Sequence, residues 1–149
     1  IMFRDELEKF IPKGEPDEFA WEHNGLPCLV VRQFHGALCG YVGLKTAPFE
    51  DYYSDAHYEV HGGVTYGDWN DRYDQDYARL MNCELEKYFW VGFDTCHSGD
   101  LVPKYHHTKL GKYAPLVAEM SGDDIYRDLE YMKKETNHLV DQIKAEQEK

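Results

Sequence analysis

Positive charge is scarce in this chain: 16 Lys and Arg stand against 28 Asp and Glu in 149 residues, a formal net charge of −12. That deficit argues against general nucleic-acid binding, which needs a basic face to neutralise phosphates. It leaves room for one small anionic ligand, because a pocket can be locally positive on an acidic protein. Cysteine is also sparse. Cys28, Cys39, Cys83 and Cys96 form no C-x-x-C pair, so a zinc site built on them is not expected, and free thiols in a reducing, cytoplasmic setting are. Long apolar runs are missing as well. No segment nears the roughly 20 apolar residues of a membrane span, and the opening IMFRDELEKF is too charged for a signal peptide. Internal repeats and low-complexity stretches are likewise missing. Aromatic side chains, in contrast, are plentiful at 15%, with 12 Tyr. Their apolar bodies and polar tips suit a half-wet pocket or interface.

The length suits a single domain over residues 1–149. Phe3, Leu7, Phe10 and Ile11 recur at helical spacing, ended by Pro12 and Gly14. The segments 18–23, 26–33 and 37–44 read as a meander. Asn24-Gly25 supplies the hairpin signal between the first two, and His35-Gly36 breaks the chain before the third. Gly40 and Gly43 in the third strand predict a bulge or a close backbone approach. A polar loop over 46–57 precedes a short strand over 57–60. An acidic surface excursion follows over 67–85, with a short helix near 74–82, and 86–93 is the strongest strand. Residues 101–117 read as a long connection. Ser121 then caps a helix over about 122–146, lined on one face by Ile125, Leu129, Met132, Leu139, Val140 and Ile143. The expected fold is α+β: an antiparallel sheet of about five strands packed against this long C-terminal helix. The helix's charged end projects into solvent or pairs with a second subunit, so a homodimer is a further expectation.

Two polar clusters follow strands. One is Glu59-Val60-His61-Gly62-Gly63-Val64-Thr65, the other Asp94-Thr95-Cys96-His97-Ser98-Gly99-Asp100. If their strands are neighbours, the clusters meet on one rim. Gly62, Gly63 and Gly99 let backbone amides approach a ligand and form an anion-binding nest. His61 and His97 suit acid–base work or metal ligation, and Asp94 and Asp100 suit orienting a histidine, binding a cation or acting as base. Each residue also has a plain structural role open to it, since Gly-rich turns and strand-end Asp are common turn chemistry. Other features carry less. Lys104, His106, His107 and Lys109 make the most basic local patch. Asp68, Asp71, Asp74 and Asp76 lack the central Gly and final Glu of a calcium loop. Ser98 lacks the Gly-x-Ser-x-Gly elbow of a hydrolase nucleophile. Cys96 would need a histidine other than its neighbour His97 to act as a nucleophile, and His61 is the one expected.

The succession LPCLVVRQ, LCGYVGL, EVHGGVTY, WVGFDTCHSGD and YRDLEYMKKETNHLVDQI resembles a family of small uncharacterised proteins of bacteriophage and bacterial genomes. The resemblance runs from about Leu26 to Ile143. It rests on His-Gly-Gly-x-Thr at His61, Gly62, Gly63 and Thr65, and on Gly-Phe-Asp-x-x-His-x-Gly-Asp at Gly92, Phe93, Asp94, His97, Gly99 and Asp100. It implies no settled activity. A phage origin would imply the host cytoplasm and, by context, a protein that counters host defence by binding or cleaving nucleotide signals.

Three readings stay open. The first is a pocket that sequesters a nucleotide-like molecule, held by Gly62, Gly63, Thr65, Tyr66, Ser98, Gly99 and Lys104, with Lys109 adding charge and Tyr41, Tyr66, Trp90 or Tyr105 stacking on its base. The second is a hydrolase of a nucleotide-like substrate, metal-dependent or acid–base, with His61, Asp94, His97 and Asp100 as its catalytic groups. The third is an acidic protein that blocks a host protein. No metal site or cofactor is assigned from the sequence.

Overall fold

The computed structural model describes residues 10–48, 57–104 and 124–149. The expected N-terminal helix therefore lies outside the described residues except for Phe10 and Ile11. So do Ser121 and the patch residues Tyr105, His106, His107 and Lys109.

Asn24 and Gly25 adopt φ of 49° and 82°, the left-handed pair that a two-residue hairpin needs. They join β1 (Glu18–His23) to β2 (Leu26–Arg32), and a turn at His35-Gly36 leads into β3 (Leu38–Leu44). β4 (Tyr66–Trp69), helix α1 (Asp71–Met81) and β5 (Phe89–Asp94) follow, and helix α2 (Leu129–Gln147) closes the chain. The sheet is antiparallel with order β1-β2-β3-β5-β4, so the expected α+β class and five-stranded antiparallel sheet are present. Among the described residues, no helix is long and apolar enough to cross a membrane.

Strand alternation divides the core in two. Cys28, Val30, Val42, Val91 and Phe93 face α2, meeting Met132, Leu139, Val140 and Ile143. Leu29, Tyr41 and Trp90 face the other way, against Tyr77 and Tyr88 below α1. The register of β3 on β5 runs without a bulge from Cys39↔Asp94 to Leu44↔Phe89, so Gly40 serves close approach. A Cβ there would sit 2.6 Å from both the Phe93 ring and Thr136 Oγ1. Its missing side chain lets α2 lie close to the sheet.

Three expectations need correction. Among the described residues, 57–60 pair with no strand. The Glu59 amide donates to Gln142 Oε1 at 2.7 Å, and Gln142 Nε2 donates back to the Glu59 carbonyl at 2.7 Å. A side-chain amide thus takes the place of a neighbouring strand, while Tyr58 and Val60 pack on the α2 core. The fourth strand is instead Tyr66–Trp69, whose last three residues fall in the stretch expected to be a surface excursion. The short helix expected near 74–82 is present, as Asp71–Met81. Asn70 caps it by accepting from Tyr73 N, and it buries Asp74 and Tyr77. Finally, α2 begins at Leu129, capped by Asp128, which accepts from Tyr131 N at 2.9 Å. Ile125 precedes the helix, 55% exposed, and forms a parallel bridge with Asp100.

The entry to α2 is held by a buried ion pair. Arg32 donates to Glu15 and Asp17, each at 2.8 Å, and to the Tyr126 hydroxyl at 2.7 Å. Tyr126 in turn donates to Glu15, whose second oxygen accepts from Leu129 N. This cluster fixes residues 126–129, and so the direction in which Arg127 and Tyr131 point.

Candidate functional site

β5 ends at Asp94, and the turn after it is closed by Asp100 N donating to the His97 carbonyl at 2.9 Å. The chain then runs beside Ile125, with Ile125 N on the Gly99 carbonyl and Leu101 N on the Ile125 carbonyl, both at 2.8 Å. That ladder places Asp100, 1% exposed, next to the start of α2. Loop 61–65 comes from the other side, because Thr65 N is tied to the Gly92 carbonyl at 2.9 Å. The two polar clusters therefore meet through this loop rather than through a strand at 57–60.

Asp100 is the hub. Its Oδ1 accepts from Arg127 Nε at 2.8 Å; its Oδ2 accepts from the His97 amide at 3.0 Å and lies 2.8 Å from His61 Nε2. Burial alone would raise the Asp100 carboxyl, but the hydrogen bonds from Arg127, His61 and the His97 amide outweigh it and hold the group below the usual carboxylate range. An ionised carboxylate only accepts, so neutral His61 must carry its proton on Nε2. Its Nδ1 is then the acceptor for the Tyr131 hydroxyl, 2.6 Å away. Burial first, then the nearby Glu135, raises the Tyr131 phenol above its ordinary value, so it enters this chain protonated. Arg127 lies over the Tyr131 ring, 5.0 Å from its centre.

His97 takes a different place. Its ring covers Gly62, where a Cβ would fall 2.1 Å from Nε2. Nε2 is 3.1 Å from Asp94 Oδ1, within ion-pair range but misaligned for a hydrogen bond. The His61 and His97 ring centres are 6.0 Å apart. Asp94 also accepts from Thr65 Oγ1 and from the Cys96 amide, both at 3.0 Å. Gly62 has φ of 70°, where a side chain is strained even without the clash. Gly62→Ala is expected to displace the His97 ring and to cost about 1–2 kcal/mol. Urea unfolding, together with the NMR shifts of the His97 ring, checks both effects.

An open groove of about 570 Å³ runs between residues 58–63 and α2, lined by Tyr58, Glu59, Val60, His61, Gly62, Gly63, Glu135 and His138. Its volume is that of small-molecule sites. Glu135 accepts the His61 amide at 2.8 Å, and Tyr131 lies one helical turn earlier on the same face.

Several expected ligand contacts fall elsewhere. Tyr41, Tyr66 and Trp90 belong to the aromatic layer below α1, where the Tyr73 hydroxyl donates to that of Tyr41 and Tyr66 accepts from Asn70. Strand parity turns them away from His61, so they cannot stack on a base in this groove. Lys104 lies beside His35, its amide on the His35 carbonyl and its ammonium over Phe34. The Gly63 amide is already taken by the Val60 carbonyl at 2.8 Å, which weakens the expected anion nest. Ser98 and Gly99 are exposed at the turn tip. The partner of Cys96 is not His61 but His35, with Sγ 3.0 Å from Nε2. Because His35 Nδ1 accepts from the Ala37 amide, Nε2 carries the proton. Burial raises the Cys96 thiol and lowers His35, leaving both neutral near pH 7. No group of three or more His, Cys, Asp or Glu among the described residues is arranged to hold a metal ion.

Tyr131, Arg127, Glu135 and His35 were not singled out from the sequence. Tyr131 and Glu135 share a register on α2 with i, i+4 spacing, a visible signal once His61 is known to pack there. Arg127 was legible only as one cation among the acids preceding the helix. No family model, curated protein or solved structure matches the chain.

Proposed function

We propose that the protein is a hydrolase of a small, nucleotide-like molecule, with His61 as its general base and Asp100 as the group that orients it. The observation that carries this reading is the 2.8 Å contact between buried Asp100 Oδ2 and Nε2 of His61, a residue that lines the groove. A carboxylate that fixes one ring nitrogen and stabilises the imidazolium turns the other nitrogen into a directed base. Asp100 is itself immobilised by Arg127 and the His97 amide. The acid–base form of the hydrolase is favoured over the metal-dependent form because these groups are already paired with each other. It is favoured over sequestration because Tyr41, Tyr66 and Trp90, three of the four side chains expected to grip a base, are packed below α1.

The test is a conversion assay. The purified chain is incubated with cyclic dinucleotides, NAD, p-nitrophenyl acetate, p-nitrophenyl phosphate and bis(p-nitrophenyl) phosphate, and the mixture is chromatographed before and after heating. A new product, reduced about 10²–10⁴-fold by His61→Gln, is the expected result. A compound that vanishes and returns intact on heating would instead mark a holding pocket. A panel left free and unchanged would remove the hydrolase reading.

A further inference from the structure

We infer that Tyr131 is the nucleophile of this site and that the bond it attacks is a phosphodiester. The inference rests on the hydrolase reading above and deepens it. A covalent-catalysis site is recognised by a nucleophile within hydrogen-bond reach of a base, which a third group orients. The described residues hold this arrangement: Tyr131 hydroxyl to His61 Nδ1 at 2.6 Å, and His61 Nε2 to Asp100 at 2.8 Å. A phenol takes the hydroxyl role that serine has in a Ser-His-Asp triad, with the ring nitrogens exchanged: Nδ1 faces the hydroxyl and Nε2 the carboxylate. Ser98 and Cys96, the other nucleophiles nearby, are not in that position. Ser98 is at the exposed turn tip, and Cys96 is paired with His35.

The substrate class follows from charge. Arg127 gives only its Nε to Asp100 among the described residues, and its guanidinium lies over the Tyr131 ring, 5.0 Å from the centre. Its two terminal nitrogens remain for an anion held against the phenol oxygen, and a guanidinium matches phosphate oxygens in geometry as well as charge. Glu135, the nearest acid on that helix face, is turned to the His61 amide.

The chemistry balances with water alone. The Tyr131 proton passes to His61 Nδ1 as the phenol oxygen bonds to phosphorus. The bond from phosphorus to the departing alcohol breaks, and that oxygen takes the proton from His61. Water then gives a proton to His61 as its oxygen bonds to phosphorus. The bond from phosphorus to the Tyr131 oxygen breaks, and the phenol recovers its proton. The net change is diester plus water to monoester plus alcohol.

The experiment uses bis(p-nitrophenyl) phosphate with the full chain. Turnover is followed by p-nitrophenolate release, and acid-quenched protein is digested for mass analysis. The expected result is a p-nitrophenyl phosphate adduct on the Tyr131 peptide and a loss of at least about 10³-fold in Tyr131→Phe. Tyr131→Phe keeps the ring beneath Arg127, and its thermal unfolding should stay close to wild type. If Tyr131→Phe turns the diester over within about threefold of wild type while His61→Gln does not, the nucleophile assignment falls and the general-base reading survives. Turnover confined to the acetate ester or the phosphate monoester overturns the diester assignment. If no compound of the panel is converted, both readings fall together.

Discussion

Asp100→Asn is expected to lower stability by about 3 kcal/mol at pH 7, within the range for breaking a buried charge network, and the unfolding midpoint by about 10 °C for a chain of this size. The reason is donor counting. Asp100 accepts from Arg127 Nε on one oxygen and from His61 and the His97 amide on the other. An amide must place its NH2 on one of those sides, against either Arg127 or the His97 N–H. His61 can reverse its tautomer to accept, but the guanidinium and the backbone amide cannot. One donor–donor clash therefore remains in either orientation. The same change removes the group that fixes the His61 tautomer, so any turnover should fall by about 10²–10⁴-fold as well. The pH dependence has a definite sign. The folded Asp100 carboxyl lies below its ordinary value, so its stabilisation is fully present above the unfolded carboxylate value near 4 and is lost as pH falls through the folded value. The gap between wild type and Asp100→Asn, measured by urea unfolding, should be full at pH 7 and narrow under strong acid.

Asp74→Ala is expected to cost about 3 kcal/mol, and Asp74→Asn about 1 kcal/mol. Asp74 is 4% exposed, and its Oδ1 accepts from both Trp90 Nε1 at 2.9 Å and the Tyr88 amide at 3.1 Å. Alanine leaves two buried donors without a partner below α1. Asparagine keeps a carbonyl oxygen that both can share. Near-UV circular dichroism should register the alanine variant strongly, because Trp90 is fully buried among Tyr73, Tyr77 and Tyr88. Urea unfolding of the two variants side by side separates the lost acceptor from a general helix effect.

These two aspartates show what the sequence could and could not reveal. Asp100 stood in a motif of acids, histidine and glycines after a strong apolar run, and the run itself forms β5. Asp74 stood in an acidic stretch whose other members are partly or wholly exposed, so its burial left no trace in the spacing. Its acceptor role depends on Trp90, a residue whose own burial was plain. Asn24-Gly25 marked the hairpin because local backbone geometry alone decides it. The segment HYEV had the alternation of a strand yet pairs with the Gln142 side chain, a partner more than eighty positions away. Tyr66–Trp69 carries Gly and Asp and so lacks a strand's composition, but its pairing with β5 holds it in the sheet. Long-range pairing of this kind overrides local propensity. Tyr131 and Arg127 escaped notice for the same reason, since their role is set by a loop far away in the chain.

The strand order has a kinetic consequence. β1, β2 and β3 are joined by short turns and can form early, whereas β5 must lie between β3 and β4 after residues 45–88 have been looped out. Closing that loop costs chain entropy before any contact across it is gained. His61 lies within the loop, Asp100 just beyond β5, and Tyr131 on a helix that packs against the finished sheet. The site is therefore complete only once β5 is docked, because Asp100 follows that strand directly. A chain caught with its meander formed and β5 undocked would hold much of its secondary structure and lack the carboxylate that orients His61.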